Sequence, residues 1–274
     1  MTFFTKGSIM FDRCQIRYPA FDKLQICRLL FYPRRERTGT AGVCTERIMI
    51  PVEDGVAVGG RFHLCRQESP TVLFFHGNGE IAADYDDIGA IYRGMGINFL
   101  PVDYRGYGLS SGRPTVTAMM RDGHTVFEFV TAWLTGRGCT GPLVVMGRSL
   151  GSAPALEVAF HQAERIAGLI IESGFARILP LLNLLGIHDP ELTEASGPQN
   201  LEKIRRVRKP TLVIHAEYDQ IIPYAEGKDL YEASGAMEKK FLGIPHADHN
   251  TVFFQGRQQY LDAIGTFMKI VAER

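Results

Sequence analysis

Residues 143–159, L-V-V-M-G-R-S-L-G-S-A-P-A-L-E-V-A, decide the fold prediction for this 274-residue chain. The first four residues form a short apolar run typical of a buried strand, and the last eight have the spacing of a helix. Between them, G-R-S-L-G at residues 147–151 has the G-x-S-x-G pattern, which places a serine on a sharp strand-to-helix turn. We therefore predict that Ser149 is a nucleophile. A glycine-rich turn with a capping serine is the structural alternative.

Strands and helices alternate on both sides of this stretch. An Asp-Gly pair at residues 54–55 predicts a hairpin, and the later apolar runs are separated by stretches of helical spacing. This alternation is the pattern of a parallel sheet covered by helices on both faces. Strands are predicted at 46–51, 56–64, 71–75, 97–102, 143–146, 168–171, 211–214 and 240–244. Helices are predicted at 84–95, 119–135, 153–163, 224–234 and 257–272.

The predicted fold class is therefore α/β, with a mostly parallel eight-stranded sheet, an N-terminal antiparallel hairpin and helices on both faces. The length suits one large α/β domain over residues 1–274. Residues 175–209 are the least regular region, and we expect a small helical cap insertion there. Its apolar stretch L-L-N-L-L-G-I at 181–187 favours a helix packing onto the sheet, with a wall of an acyl pocket as the alternative.

Charge and composition argue against several function classes. The chain has 30 Lys and Arg against 30 Asp and Glu, so no broad basic surface for nucleic acid is expected. No apolar run reaches the roughly 20 residues of a spanning helix, so no stable membrane insertion is expected. Five scattered cysteines without a C-x-x-C pair and an N-terminus unlike a signal peptide favour a reducing, cytoplasmic location. No metal- or nucleotide-binding motif is present, so no cofactor is expected.

A glycine-rich loop, H-G-N-G at residues 76–79, follows the predicted strand T-V-L-F-F. Such a loop can present a backbone N–H group without steric cover. We predict that the N–H groups of Asn78 and Leu150 form an oxyanion hole. His76 is interpreted as a structural histidine bonded to nearby backbone, because it precedes the nucleophile in the chain.

A serine nucleophile needs a base that is oriented by an acid. The segment A-E-Y-D-Q-I-I-P at residues 216–223 follows the strand T-L-V-I-H and supplies an acid beyond the carboxyl end of that strand. Asp219 is the predicted acid, with Glu217 as the rival. A loop aspartate is also a common turn former.

The segment I-P-H-A-D-H-N at residues 244–250 follows the last predicted strand and contains two histidines. His249 is the predicted base, with His246 as the alternate. The chain order Ser149, Asp219, His249 is the order expected when the nucleophile lies on a strand-to-helix elbow. The predicted strand end V-D-Y-R at residues 102–105 also suggests an Asp103–Arg105 pair that braces the loops around the site, with direct substrate contact as the alternative.

Six motifs carry a family resemblance: F-Y-P-R-R at 31–35, H-G-N-G-E at 76–80, V-D-Y-R-G-Y-G-L-S-S-G at 102–112, G-R-S-L-G-S at 147–152, L-V-I-H-A-E-Y-D-Q-I-I-P at 212–223 and A-D-H-N at 247–250. On these motifs the chain resembles the α/β-hydrolase superfamily, and within it the Bem46-like branch that includes the α/β-hydrolase-domain proteins 13 and 17. The resemblance implies the same roles: Ser149 as nucleophile, His249 as base, Asp219 as its orienting acid, and Asn78 and Leu150 as oxyanion donors.

These inferences predict a cofactor-independent serine hydrolase that cleaves a carboxylic ester or thioester through an acyl-enzyme. The expected partner is a small acyl substrate. A peptidase or amidase with the same triad is the alternative activity. A non-catalytic protein that uses the fold for binding is the alternative from another class, because a fold does not fix a function. Neither the leaving group nor the oligomeric state is predicted.

Overall fold

The computed structural model describes residues 12–37 and 45–273. Two features used to predict the location, Cys44 among the five cysteines and the N-terminal residues 1–11, lie outside the described residues. Among the described helices, none has the length and apolar character needed to cross a bilayer.

An eight-stranded sheet forms the centre of the molecule and confirms the predicted fold class. Its spatial order is β1-β2-β4-β3-β5-β6-β7-β8. The hairpin β1–β2 is antiparallel, and β2 also lies antiparallel to β4, whereas the other neighbouring strands are parallel. The strands are β1 Thr45–Glu53, β2 Val56–His63, β3 Thr71–Phe75, β4 Asn98–Val102, β5 Leu143–Arg148, β6 Gly168–Glu172, β7 Thr211–Ala216 and β8 Lys239–Ile244.

Helices cover both faces of this sheet. The helix predicted at 257–272 has the predicted ends, and the other four predicted helices are present with one or both ends shifted by one to three residues. The insertion region, residues 175–209, contains two short helices, Ile178–Leu184 and Asn200–Arg206, and another short helix, Leu24–Leu30, precedes the hairpin. The α-helices of the described residues are α1 Leu24–Leu30, α2 Asp86–Gly94, α3 Val116–Gly136, α4 Ser152–His161, α5 Ile178–Leu184, α6 Asn200–Arg206, α7 Tyr224–Ala233, α8 Val252–Gln255 and α9 Arg257–Ala272.

Burial explains why the strand sequences read as continuous apolar runs. Every residue of β3, β6 and β7 is buried, whereas the edge strand β1 alternates between covered and exposed positions. Helices on both faces leave no solvent-facing side for a polar residue on the inner strands. Because parallel strands end at the same edge, the loops after β3, β5, β7 and β8 gather at one edge of the sheet.

The predicted Asp103–Arg105 pair is wrong. The Asp103 Oδ1 atom accepts the Ala82 N–H at 2.8 Å, while the Arg105 guanidinium makes two hydrogen bonds, of 2.7 and 2.8 Å, to the Asp122 carboxylate on α3. The chain turns at residues 104–107, where a backbone hydrogen bond closes the turn. This turn separates the two side chains, so each braces a different neighbouring element.

One buried histidine should make stability depend on pH. His63 is 1% exposed, and burial followed by the charges of Arg93 and Arg61 lowers its pKa to about 4. An unfolded histidine has a pKa near 6.5. As the pH falls, the unfolded state therefore binds the proton first, and the stabilisation present above pH 6.5 is lost towards pH 4.

We expect His63 to account for a loss of about 3 kcal/mol in the free energy of unfolding between pH 7 and pH 4. Urea unfolding at several pH values measures this loss. A His63→Asn protein should lack this part of the pH dependence, and a His188→Asn protein, changed at an exposed histidine, should keep it. Parallel pH curves for wild type and His63→Asn would contradict the assignment.

Candidate active site

Ser149 lies on a sharp turn between β5 and α4. Its φ of +52° is in the left-handed region, which a non-glycine residue seldom adopts. The glycines on either side permit this turn, because a Cβ on Gly151 would lie 2.0 Å from the Phe75 carbonyl oxygen, and one on Gly147 would lie 2.2 Å from the Gly151 carbonyl oxygen. The predicted strand–serine–helix arrangement is therefore present, with the side chain at the crowded edge of the sheet.

Three of the sequence-predicted residues meet at this edge. The His249 Nε2 atom lies 2.9 Å from Ser149 Oγ, and the His249 Nδ1 atom lies 2.7 Å from Asp219 Oδ2. All three side chains are largely buried, with 8%, 4% and 7% exposure for Ser149, His249 and Asp219. The distances are those of a hydroxyl, a base and an acid joined by hydrogen bonds.

Asp219 is held as a carboxylate by its surroundings. Its Oδ1 atom accepts the N–H groups of Ile221 and Ile222 at 3.0 and 2.8 Å. Burial acts to raise the pKa of Asp219, but the hydrogen bond and charge of His249, together with the Ile222 N–H, lower it below its usual value. An ionised Asp219 accepts a hydrogen bond from His249 Nδ1–H, which leaves a lone pair on Nε2 facing Ser149.

The rival acid and base lie elsewhere. Glu217 is exposed, and its Oε2 atom accepts the His246 N–H at 3.4 Å. His246 has a φ of +60°, and its ring lies 5.9 Å from the Tyr218 ring. Ser149 Oγ is thus hydrogen-bonded to His249 and not to His246, and His249 Nδ1 is bonded to Asp219 and not to Glu217.

The side chain of Asn78 fixes the loop that follows β3. Its Oδ1 atom accepts the Tyr32 N–H and the Tyr107 hydroxyl at 2.8 and 2.7 Å, and its Nδ2 atom donates to the Leu30 carbonyl at 3.0 Å. Asn78 and Leu150 line one cavity together with Ser149. The use of their N–H groups as oxyanion donors stays a prediction.

His76 has the structural role that its position suggests. It is fully buried, and its Nδ1 atom lies 2.8 Å from the Gly77 carbonyl oxygen. The Nε2 atom lies 3.3 Å from Asp103 Oδ1, on the β4 side of the loop. The ring therefore supports the loop before Asn78, as predicted.

The cavity beside Ser149 has a volume of about 200 Å³, and five of its eleven lining residues are aliphatic. Helix α5 contributes one face to it and another face to the core. Leu181 and Leu185 line the cavity, while Ile178 and Leu182 are buried among the core residues. This helix thus packs into the core and also forms a wall of the pocket, whereas its predicted packing onto the sheet itself stays a prediction. The aliphatic lining residues are Leu30, Leu150, Leu181, Leu185 and Ile221.

Two charged residues of the cavity were not predicted from the sequence. Glu80 and Arg148 both line it and form an ion pair with each other. Each stands inside a quoted motif, Glu80 at the end of H-G-N-G-E and Arg148 as the variable residue of G-x-S-x-G. A buried charge requires a partner, so an arginine within a buried strand-to-helix turn was the available signal.

Three residues of the types that bind metal ions lie close together on α3 and α4. The ligand atoms of His124, Glu157 and His161 lie within 4.8 Å of one another. However, the Lys203 ammonium lies 2.5 Å from Glu157 Oε2, and its charge opposes a metal cation at this position. Burial acts to raise the pKa of Glu157, but the hydrogen bonds of both histidines and the Lys203 charge hold it well below its usual range. We interpret this group as an ion-paired cluster that joins α3, α4 and α6.

Comparisons with known proteins agree with this architecture. The family model described as serine aminopeptidase S33 matches residues 66–188. The chain is 29% identical over 217 residues to protein bem46 of Schizosaccharomyces pombe, covering 75% of this chain and 71% of that protein. It is 30% identical over 226 residues to α/β hydrolase domain-containing protein 17C of Xenopus tropicalis, covering 79% and 67%. An esterase of Pyrococcus furiosus has a similar fold, with a TM-score of 0.69 at 20% identity over 86% of this chain and 98% of that one.

Proposed function

Because this chain belongs to the Bem46-like branch of the α/β-hydrolases, we propose that it is a serine hydrolase of carboxylic esters or thioesters. The observation that carries the proposal is the continuous hydrogen-bonded chain from Ser149 through His249 to Asp219. The proposed reaction requires no cofactor.

In the first half-reaction Ser149 Oγ attacks the carbonyl carbon while its proton passes to His249 Nε2. Asp219 fixes the imidazole through Nδ1–H and stabilises the positive charge that forms on it. The N–H groups of Asn78 and Leu150 then donate to the carbonyl oxygen as it becomes an oxyanion. Leu150 lies at the start of a helical segment, where backbone N–H groups favour negative charge.

To complete the first half-reaction, the proton on His249 Nε2 is transferred to the departing alcohol or thiol. The C–O or C–S bond breaks, and the acyl group remains on Ser149 Oγ. In the second half-reaction water donates a proton to His249 Nε2 and attacks the acyl carbon. The bond between this carbon and Ser149 Oγ then breaks, the proton on His249 Nε2 returns to Oγ, and the acid is released.

The cavity walls favour an apolar acyl group. Five aliphatic side chains surround a volume of about 200 Å³ next to Ser149. This volume is below the roughly 300–1,000 Å³ of pockets that enclose a whole drug-sized ligand. We therefore propose short and medium-length acyl chains as substrates.

Filling this cavity should shorten the preferred acyl chain. Leu181 lines the cavity from α5, so a Leu181→Trp change should lower kcat/KM for an octanoyl ester about 10- to 100-fold. The same change should alter kcat/KM for an acetyl ester less than about threefold. Steady-state kinetics with p-nitrophenyl esters of increasing chain length measures the shift.

Leu184 provides the matched control, since it lies on the same helix but is 56% exposed. A Leu184→Trp protein should keep the wild-type order of preference. If Leu181→Trp lowered kcat/KM equally for acetyl and octanoyl esters, the acyl group would lie elsewhere.

A peptidase is the second candidate, because the matching family model carries the description of a serine aminopeptidase. An aminopeptidase benefits from a free carboxylate that binds the ammonium group of its substrate. Among the described residues that line the cavity, Glu80 is the one carboxylate, and it already accepts bonds from Arg148, the Gly77 N–H and the Tyr85 hydroxyl. This saturation favours the ester or thioester over the peptide.

A matched substrate panel separates the candidates. An ester, a thioester and an aminoacyl amide of similar size are compared by kcat/KM. The proposal expects the ester or thioester to exceed the amide by at least about 100-fold. A higher value for the amide would establish a peptidase, and no turnover of any of the three would favour a binding protein.

A further inference from the structure

We propose that Glu80, Arg148 and Glu172, here called the arginine cluster, are positioning residues. They hold the loops after β3, β5 and β8, here called the catalytic loops, in the relative positions that the reaction needs. This inference rests on the proposed function and extends it to residues that touch neither Ser149 Oγ nor, in the proposed mechanism, the substrate carbonyl. Each member of the cluster contacts a different element of the site.

Arg148 is the centre of the cluster. It directly precedes Ser149, and its side chain is 10% exposed. All three guanidinium nitrogens have partners: Nε donates to Glu172 Oε1 at 3.0 Å, Nη1 donates to Glu80 Oε1, and Nη2 donates to the His249 carbonyl oxygen at 2.7 Å. The last bond joins the residue next to the nucleophile to the backbone of the proposed base.

Glu80 connects the cluster to the loop that carries Asn78. Its Oε2 atom accepts the Gly77 N–H at 2.6 Å and the Tyr85 hydroxyl at 2.5 Å. A Cβ on Gly77 would lie 2.8 Å from Arg148 Nη1, so the glycine allows the loop and the guanidinium to approach. The peptide next to the proposed oxyanion donor is thus fixed by the cluster.

Glu172 anchors the cluster to the sheet and to the last helix. It ends β6, its side chain is 6% exposed, and its Oε2 atom accepts the Tyr260 hydroxyl at 2.6 Å. Burial and the Glu172 charge raise the pKa of Tyr260 well above its usual value, so this hydroxyl remains a donor. The cluster therefore extends from a fixed strand end to three catalytic loops.

The geometry requires an arginine. The planar fork of a guanidinium donates in three directions at once, whereas a lysine ammonium is one point charge at the end of a flexible chain. A lysine can neutralise the carboxylates but cannot also reach the His249 carbonyl oxygen from the same position. A shift of about 1 Å in a catalytic group lowers turnover about 100-fold.

The test compares Arg148→Lys and Arg148→Met with wild type in steady-state ester hydrolysis. We expect kcat to fall about 10- to 100-fold in Arg148→Lys and at least about 100-fold in Arg148→Met. KM should change less than about threefold, because the five aliphatic side chains proposed to contact the acyl group are unchanged, although Arg148 itself also lines the cavity. An Arg165→Met protein is the control, since Arg165 pairs with Glu128 at the surface, and its kcat should stay within twofold of wild type.

Two further measurements separate positioning from folding and from the proposed function. Near-ultraviolet circular dichroism reports whether each variant is folded. If Arg148→Met is unfolded, the kcat of Arg148→Lys alone tests the inference. Guanidinium chloride at millimolar concentration should restore part of the kcat of a folded Arg148→Ala protein, which a loss of stability would not allow. Wild-type kcat in folded Arg148→Lys would overturn the inference, whereas wild-type protein without hydrolase activity would overturn the proposed function instead.

Discussion

Replacement of Ser149 by alanine is expected to lower kcat for ester hydrolysis by about 10⁵-fold, measured by steady-state kinetics at saturating substrate. The change removes the atom that forms the acyl-enzyme, while the cavity and the proposed oxyanion donors remain. Binding of a substrate should therefore persist, and a non-hydrolysable substrate analogue should bind with a Kd within about threefold of wild type.

The control for this loss is Ser196→Ala. Ser196 lies in the loop before α6, where it bonds to Thr193 within its own turn. Its removal should leave kcat within twofold of wild type. A Ser149→Ala protein that hydrolyses esters within tenfold of the wild-type rate would exclude Ser149 as the nucleophile.

An Asp219→Asn change should lower kcat by about 10³- to 10⁴-fold, because it reverses the tautomer of His249. The N–H groups of Ile221 and Ile222 both donate to Asp219 Oδ1, so they require an oxygen there. The amide nitrogen is therefore placed at the Oδ2 position, where it donates to His249 Nδ1. His249 must then carry its proton on Nε2, and it cannot accept the proton of Ser149.

Glu217→Gln is the matched control, since Glu217 is the nearby acid that the sequence also offered. Its side chain is exposed and contacts the His246 N–H, so kcat should stay within twofold of wild type. Steady-state kinetics on both variants decides between the acids. A large loss in Glu217→Gln with near-normal Asp219→Asn would reverse the assignment.

Much of the fold was predictable because its signals are local. The apolar runs of β3 to β7 and the Asp-Gly turn between β1 and β2 depend on residues close in sequence. The site followed from the same argument, since parallel strands end at one edge and the loops after β5, β7 and β8 carry Ser149, Asp219 and His249. The preference for His249 over His246 also agrees with the geometry.

The ion pairs around the site were not predictable, because they depend on contacts between residues far apart in sequence. Arg148 meets Glu80, 68 positions away, and the His249 carbonyl, 101 positions away, and neither pairing has a periodic signal. The wrong Asp103–Arg105 pair has the same origin, because a turn that the sequence did not locate directs Arg105 to Asp122. The hydrogen-bonded residues Ser149, Asp219 and His249 were predictable from local motifs, whereas the charged residues around Arg148 were not.

The most direct test of the central claim, that Ser149 is an activated nucleophile, is the intact mass of the protein after exposure to a fluorophosphonate. Wild type and Ser149→Ala are compared, and the modified residue is located by peptide digestion. We predict one adduct per wild-type chain, on Ser149, and none in Ser149→Ala. An unmodified but folded wild-type protein, or an adduct that persists in Ser149→Ala, would contradict the account.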